Sequence, residues 1–571
     1  MMRLRTQPSI LRSGRPVPRS LRARCVLMAL LSFLFGFLLV AQAARAQSDR
    51  PFDVLIVGGR IVDGTGNPWY SGDVGIRDGR IAAIGLLTGA PAARTIDARG
   101  LVVAPGFIDL HTHTDLTVLA DGNAESKLRQ GVTLDVLGES SSVAPRDGLP
   151  VTTEGGVSTD WTTFTDYFRR VEEQGTAINL ISHMAFEQIR RIAVGYSTEP
   201  ATPSQLDRMR QLAERSMREG AWGMVLRFES GGPAHPEEVI ELARIVRRYG
   251  GNVTSHIGSE GFEQDRELDF MFRLARETGV PIHIFHYKIR GQQNWSKMQH
   301  YLDRIARARA EGIDVTVNVY PYTAMNHGWS AFFPVWARAK GPEAFAKMLQ
   351  EPAVRARIKA DPDFKAWMHE HGDAEGIVYA RASIPEHKVY EGKRLAEIAR
   401  IRGDADPVDT CIELMAEAGG QIGGIFHAMS EENVRMALSA PWAAVSSDAG
   451  ALNLDASGFP HPRAFGTNAR VLGYYVRDEG VLTLEDAVRK MSGFPAQILG
   501  LRDRGQIQQG FHADIVVFDP ATVAATSTYE KPKSYPVGVP YVLVNGRIVI
   551  DRGQHTGARP GVVLAGSGFA P

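Results

Sequence analysis

Two histidines stand two apart in PGFIDLHTHTD, at His111 and His113. In an extended strand such residues face the same side, so both imidazoles can reach one metal ion. Three more candidate ligands end strand-like apolar runs: His256 in NVTSHIG, His286 in PIHIFHYK and Asp448 in AVSSDAG. An H-x-H pair alone is weak, because two solvated histidines in a turn look the same. Taken with the other three it points to a metal centre. Four neutral imidazoles and a carboxylate suit zinc, which lowers the pKa of a water toward about 7. A carboxylate beside that water can take its proton and pass it to a leaving group, and Asp448 is placed for this role. The chemistry is hydrolysis at a polarised carbonyl. His283 precedes His286 by an odd step, so a regular strand turns it away toward packing. His183, in LISHMAF, is either a substrate contact or a satisfied polar group of the core.

Two ions would also need a bridging anion. In GVTLDVLGESSSVAP an apolar run from Val132 to Leu137 ends at Gly138 and then meets Glu139. That carboxylate either belongs to a solvated turn or points into a site that needs negative charge.

These residues need a frame. Eight strand candidates alternate with helical segments: GFIDLHTHTD, GVTLDVLGES, AINLISHM, GMVLRFES, NVTSHIG, VPIHIFHYK, DVTVNVYPYTA and WAAVSSDAG. In TPSQLDRMRQLAERSMREG, Leu206, Met209, Ala213 and Met217 share one helical face, with Thr202 or Ser204 as cap. Such alternation predicts an α/β fold, a parallel (β/α)8 barrel over residues 106–499, whose chemistry sits where strands end. The span at about 325–406 fits no β/α unit and reads as an insertion near the mouth, either a lid or an inert excursion. Short Gly- and Asp-broken strands at 51–105 and 500–571 predict one small β domain built from both termini.

Residues 1–46 carry eight arginines and no acid, an apolar run from Val26 to Ala41, and small residues up to Ala46. This describes a secretory signal peptide and an exported, periplasmic protein, with an uncleaved anchor as the alternative. Removing those eight arginines leaves 56 basic residues against 64 acidic, a net charge near −8. That balance gives no support for a nucleic-acid or anionic-membrane partner and leaves a small-molecule substrate. Of the two cysteines only Cys411 lies beyond the signal segment, so no intramolecular disulfide and no cysteine-rich metal site is expected.

PGFIDLHTHTD, SSDA and GQIQQGFHADIVVFDP together resemble the amidohydrolase superfamily. Within it, YPYTA, HAMSEENV, HPRAFGTNARVLGYYV, LTLEDAVRKMSGFPAQILGL and NGRIVIDRGQHTGARPGVVL resemble the N-acyl-D-amino-acid deacylase (D-aminoacylase) family, from Phe52 to about Leu564. The resemblance implies a (β/α) barrel with a β-sandwich domain, and zinc-dependent removal of the acyl group from N-acyl-D-amino acids with one or two ions. It assigns His256 and His286 to a tighter zinc site, and His111, His113 and Asp448 to a second site and the base. It also gives Lys288 a substrate carboxylate, and His461 and Arg463 a place near the mouth.

The chain departs from that family in three places. Where the second strand usually ends Gly-Asn-Cys-Gly, here stand Gly138, Glu139, Ser140 and Ser141, so a ligating thiolate is missing and Glu139 is the expected replacement, with Glu229 as rival. The arginine usual two residues after His256 is Gly258, although Glu260 is kept. Trp222 and LRFES stand on the fourth strand where small residues are usual. The last two departures bear on the substrate, so dipeptides with a D-residue or another secondary amide remain alternatives. A hydantoinase-like activity is disfavoured because GMVLRFES offers no strand-4 lysine. The reading from another class is a non-catalytic barrel used for binding.

Overall fold

The computed structural model describes residues 50–139, 142–227, 235–261 and 264–570. The signal segment, Ser140 and Glu229 lie outside them. No helix among the described residues is long and apolar enough to cross a membrane.

Eight parallel strands form the barrel: β1 (Phe107–Asp109), β2 (Val132–Leu137), β3 (Asn179–Ser182), β4 (Gly223–Leu226), β5 (Asn252–Ser255), β6 (Ile282–Ile284), β7 (Val315–Val319) and β8 (Ala443–Val445). Each lies within one of the eight runs read from the sequence. Every residue of these strands is buried, as expected of strands covered on both faces. β3 pairs with β2, and its continuation past His183, Met184–Ala185, pairs with β4. Helices cover the outside. In Pro203–Arg218, Met209, Ala213 and Met217 are buried, and Thr202 forms a capping box with Gln205.

The two chain ends meet in one nine-stranded sheet. Val102–Pro105 pairs in parallel with Phe52–Ile61 on one side and antiparallel with Ile515–Phe518 on the other. Alternation divides the labour: Ile515, Val517 and Leu543 join the domain's own core, while Val516, Phe518, Val542 and Val544 pack into the barrel core.

The insertion is larger than its sequence suggests. A three-stranded antiparallel sheet (Ala324–Gly328, Gly423–His427, Ile377–Arg381) backs a separate core that includes Trp329, Phe332, Phe345, Leu395 and Cys411. It therefore extends to about residue 428 rather than 406. Helix Pro407–Glu417 followed by strand Gly423–His427 reads like one more α/β repeat, which hid the boundary. Helix Pro362–Glu370 ties the insertion to the barrel mouth: Glu370 accepts hydrogen bonds from Arg290 Nε at 3.2 Å and Asn294 Nδ2 at 2.9 Å.

Candidate active site

The candidate ligands all follow the C-terminal ends of strands: His111 and His113 after β1, Glu139 after β2, His256 after β5, His286 after β6 and Asp448 after β8. Two of them need unusual backbone. His286 (φ 32°) and Asp448 (φ 52°) are non-glycine residues in the left-handed region, at about 1–3 kcal/mol each. Each is held there. Asn318 Oδ1 accepts the His286 N–H at 2.6 Å, and the His111 carbonyl accepts that of Asp448 at 3.0 Å.

Glu139 depends on the glycine before it. Gly138 has φ +89°, and a Cβ there would lie 2.4 Å from the His183 carbonyl oxygen. Gly138→Ala is therefore expected to cost more than about 1 kcal/mol and to displace Glu139. Thermal melting and metal content both fall; an unchanged metal content would show that the turn tolerates a side chain.

The side chains converge in two overlapping groups, each with ligand atoms within 4.8 Å of one another: His111, His256 and His286, and His111, His113 and Asp448. His111 thus belongs to both groups. Glu139 spans them, with Oε1 2.5 Å from His256 Nε2 and Oε2 3.4 Å from His113 Nδ1. Asp448 Oδ1 lies 3.0 Å from His113 Nε2 and 3.4 Å from His111 Nε2. Burial pushes the Asp448 carboxyl up, but Arg463 and the surrounding imidazoles outweigh it and hold it well below the ordinary range. Glu139 is likewise held low against burial, by His113 and His256. Burial, aided by the Lys288 ammonium, pushes His286 down to about 3 and keeps it neutral, the form that ligates metals.

The donor set fits a divalent cation. The His111 ring is fully buried and stacks on Phe285 at 4.0 Å; its Nδ1 makes no hydrogen bond, and its Nε2 has only the Asp448 and Glu139 carboxylates, at 3.4 and 3.7 Å. A buried polar group without a partner costs about 1–3 kcal/mol, which an ion held by these side chains would offset.

Around the cluster, Lys288 Nζ meets Glu260 Oε1 at 2.5 Å and His286 Nδ1 at 2.6 Å. Arg463 Nη1 meets Asp448 Oδ2 at 2.7 Å. Both cations sit over the Tyr320 ring, Lys288 at 5.4 Å and Arg463 at 4.8 Å from its centroid.

Two sequence expectations, for His461 and Trp222, are corrected, and of the two readings of His183 the satisfied core group is the one observed. His183 does not join the site: its Nε2 lies 2.8 Å from Asn252 Oδ1, at the start of β5, and burial lowers its pKa to about 4. His461 uses both nitrogens on backbone, on the Ala324 carbonyl and the Arg463 N–H at 3.0 Å each, so it positions Arg463 and offers substrate nothing. Trp222 precedes β4, at the end away from the ligands, and donates to the Leu499 carbonyl at 2.9 Å. His283 packs against β7, 2.8 Å from Thr316 Oγ1 and from Asn318 Nδ2. Phe285, Asn318 and Tyr320 were missed; each lies beside or across from a ligand strand, yet reads as ordinary barrel core.

A model of the amidohydrolase family matches residues 94–550. The chain belongs to that family. Among its relatives, D-aminoacylase of Alcaligenes xylosoxydans xylosoxydans is 35% identical over 530 residues, 91% of this chain and 99% of its own. A solved D-aminoacylase with a binuclear metal centre superposes with a TM-score of 0.74 at 33% identity, covering 90% of this amidohydrolase and 100% of that chain. The N-acyl-D-glutamate deacylase of Bordetella bronchiseptica, solved with zinc and a phosphonate mimic of the tetrahedral intermediate, gives a TM-score of 0.74 at 31% identity and the same coverage.

Proposed function

We propose that this amidohydrolase removes the acyl group from N-acyl-D-amino acids, using two zinc ions held by His111, His113, Glu139, His256, His286 and Asp448. The observation that carries the reading is Glu139, whose two oxygens face different groups of histidines. It would supply the bridging anion to two bound ions, at the strand end where the family that the sequence resembles usually carries cysteine. When bound, zinc supplies Lewis acidity toward water and the amide carbonyl.

The protein's own groups do the rest. Asp448 Oδ1 takes the proton of the attacking water and delivers it to the departing nitrogen, while Arg463 holds Oδ2 and keeps the carboxyl ionised. Lys288 and Arg463, converging on Tyr320, form the subsite for the substrate carboxylate. The basic, apolar and small-residue order of residues 1–46 supports export to the periplasm.

Zinc-loaded protein tested on paired N-acyl-D- and N-acyl-L-amino acids and on mixed dipeptides is expected to release free D-amino acids first. Chelation abolishes release and zinc restores it. Turnover confined to L-substrates would overturn the substrate assignment, and turnover that survives chelation would overturn the metal reading.

A further inference from the structure

One seam of the barrel lacks a ladder. Backbone hydrogen bonds join β1 to β2 and β7 to β8, but among the described residues none pairs β8 with β1 as strands. One backbone hydrogen bond crosses it, from the Asp448 N–H to the His111 carbonyl at 3.0 Å, and side chains complete the closure. Asp109, the last residue of β1, accepts the Ser447 N–H at 3.0 Å and the His111 N–H at 3.3 Å on Oδ1. Its Oδ2 accepts from Lys127 Nζ at 2.8 Å. Lys127, in the short helix Glu125–Leu128, also donates to Ser447 Oγ at 2.9 Å and lies 3.4 Å from Asp135 Oδ2 in β2. Asp135 Oδ2 accepts the Thr114 hydroxyl at 2.6 Å, and Thr114 Oγ1 receives the Ala451 N–H at 3.0 Å. One ammonium therefore gathers β1, β2 and the segment after β8.

Lys127 and Asp135 are wholly buried and Asp109 nearly so. Such a cluster is a poor source of stability, because desolvating the ions cancels much of their attraction. The best-attested use of buried ionic and polar groups is to fix register. Register matters at this seam. On one side stand His111 and His113; on the other stands Asp448, one residue past Ser447. The approach is close enough that a Cβ on Gly450 would lie 2.8 Å from the His113 carbonyl oxygen.

We propose that Lys127 is a positioning residue that sets Asp448 against the His111–His113 pair, and through that distance governs binding of the second ion. Its charged nitrogen meets Asp109, Ser447 and Asp135 rather than any candidate ligand. The inference rests on the two-zinc reading above.

The test measures zinc per chain after equilibrium dialysis of the full chain, and the visible spectrum of the cobalt-substituted protein. The unaltered protein holds two zinc ions. Lys127→Met holds one, and the cobalt bands of the weaker site vanish while those of the tighter site remain. Ser447→Ala, which keeps every charge, weakens the second zinc about tenfold or more, the range for losing a group behind a ligand. Should Lys127→Met fail to fold, Ser447→Ala decides. A folded variant that binds both ions with unaltered affinity overturns the proposal alone. An unaltered protein that never binds a second zinc overturns the two-zinc reading together with it.

Discussion

Asp448→Asn is expected to lower kcat by about 10²–10⁴-fold, the range for a positioned acid–base group. Asparagine keeps the shape of the side chain but cannot accept and return a proton. The same change leaves the Arg463 guanidinium, buried and 2.7 Å from Asp448 Oδ2, without its anion. Breaking a buried pair from one side costs about 3–5 kcal/mol, so thermal stability falls as well. Arg463→Met separates the two effects. It shares the stability loss and keeps the carboxylate, so kcat falls less than in Asp448→Asn, while KM rises because the substrate carboxylate loses a partner. Asp448→Asn with near-normal kcat would move the base elsewhere.

Glu139→Gln has the second largest expected effect. Glutamine fills the same space, yet its amide carries no charge to share between two cations and turns an NH2 toward one group of histidines. Bound zinc is expected to fall from two per chain to one, and kcat/KM by about 10²–10³-fold if roughly 3–4 kcal/mol of transition-state stabilisation is lost. A swap offers a sharper check. Glu139→Asn with Ser140→Cys and Ser141→Gly recreates the Gly-Asn-Cys-Gly usual in the family that the sequence resembles and should restore both ions. If Glu139→Gln binds two zinc ions and turns over normally, the bridging assignment is wrong.

The barrel and the grouping of most candidate ligands were legible because both rest on local pattern. Buried parallel strands read as apolar runs, and each candidate ligand is a polar residue at the end of such a run. His111 and His113 announce themselves by a step of two, and His283 by its odd step from His286. What stayed hidden depends on contacts distant in sequence. Lys127 sits in ESKLRQG and reads as a solvated helical lysine; its partners lie in two other strands and 320 residues away at Ser447. His461 stands in a motif near the mouth, but which way its ring nitrogens point is decided by the Ala324 carbonyl of the insertion. Phe285 reads as plain core until it is seen flat beneath His111. The far edge of the insertion was misread for a related reason: a helix followed by a strand carries the same periodicity in the barrel and outside it.

The sheet shared by the two termini bears on how the molecule is made. Its first strands leave the ribosome early, yet contacts such as Arg80 with Asp503 span 423 residues. Contacts of that separation are slow to form because a long loop must close first. Until Ile515–Phe518 arrives, Val102–Pro105 has an open edge, and the barrel core lacks the apolar face that Val516 and Phe518 supply. β1 follows that edge directly, so the strand that leads into His111 and His113 is expected to settle only when nearly the whole polypeptide is present. Maturation of the metal centre is thus tied to completion of the chain.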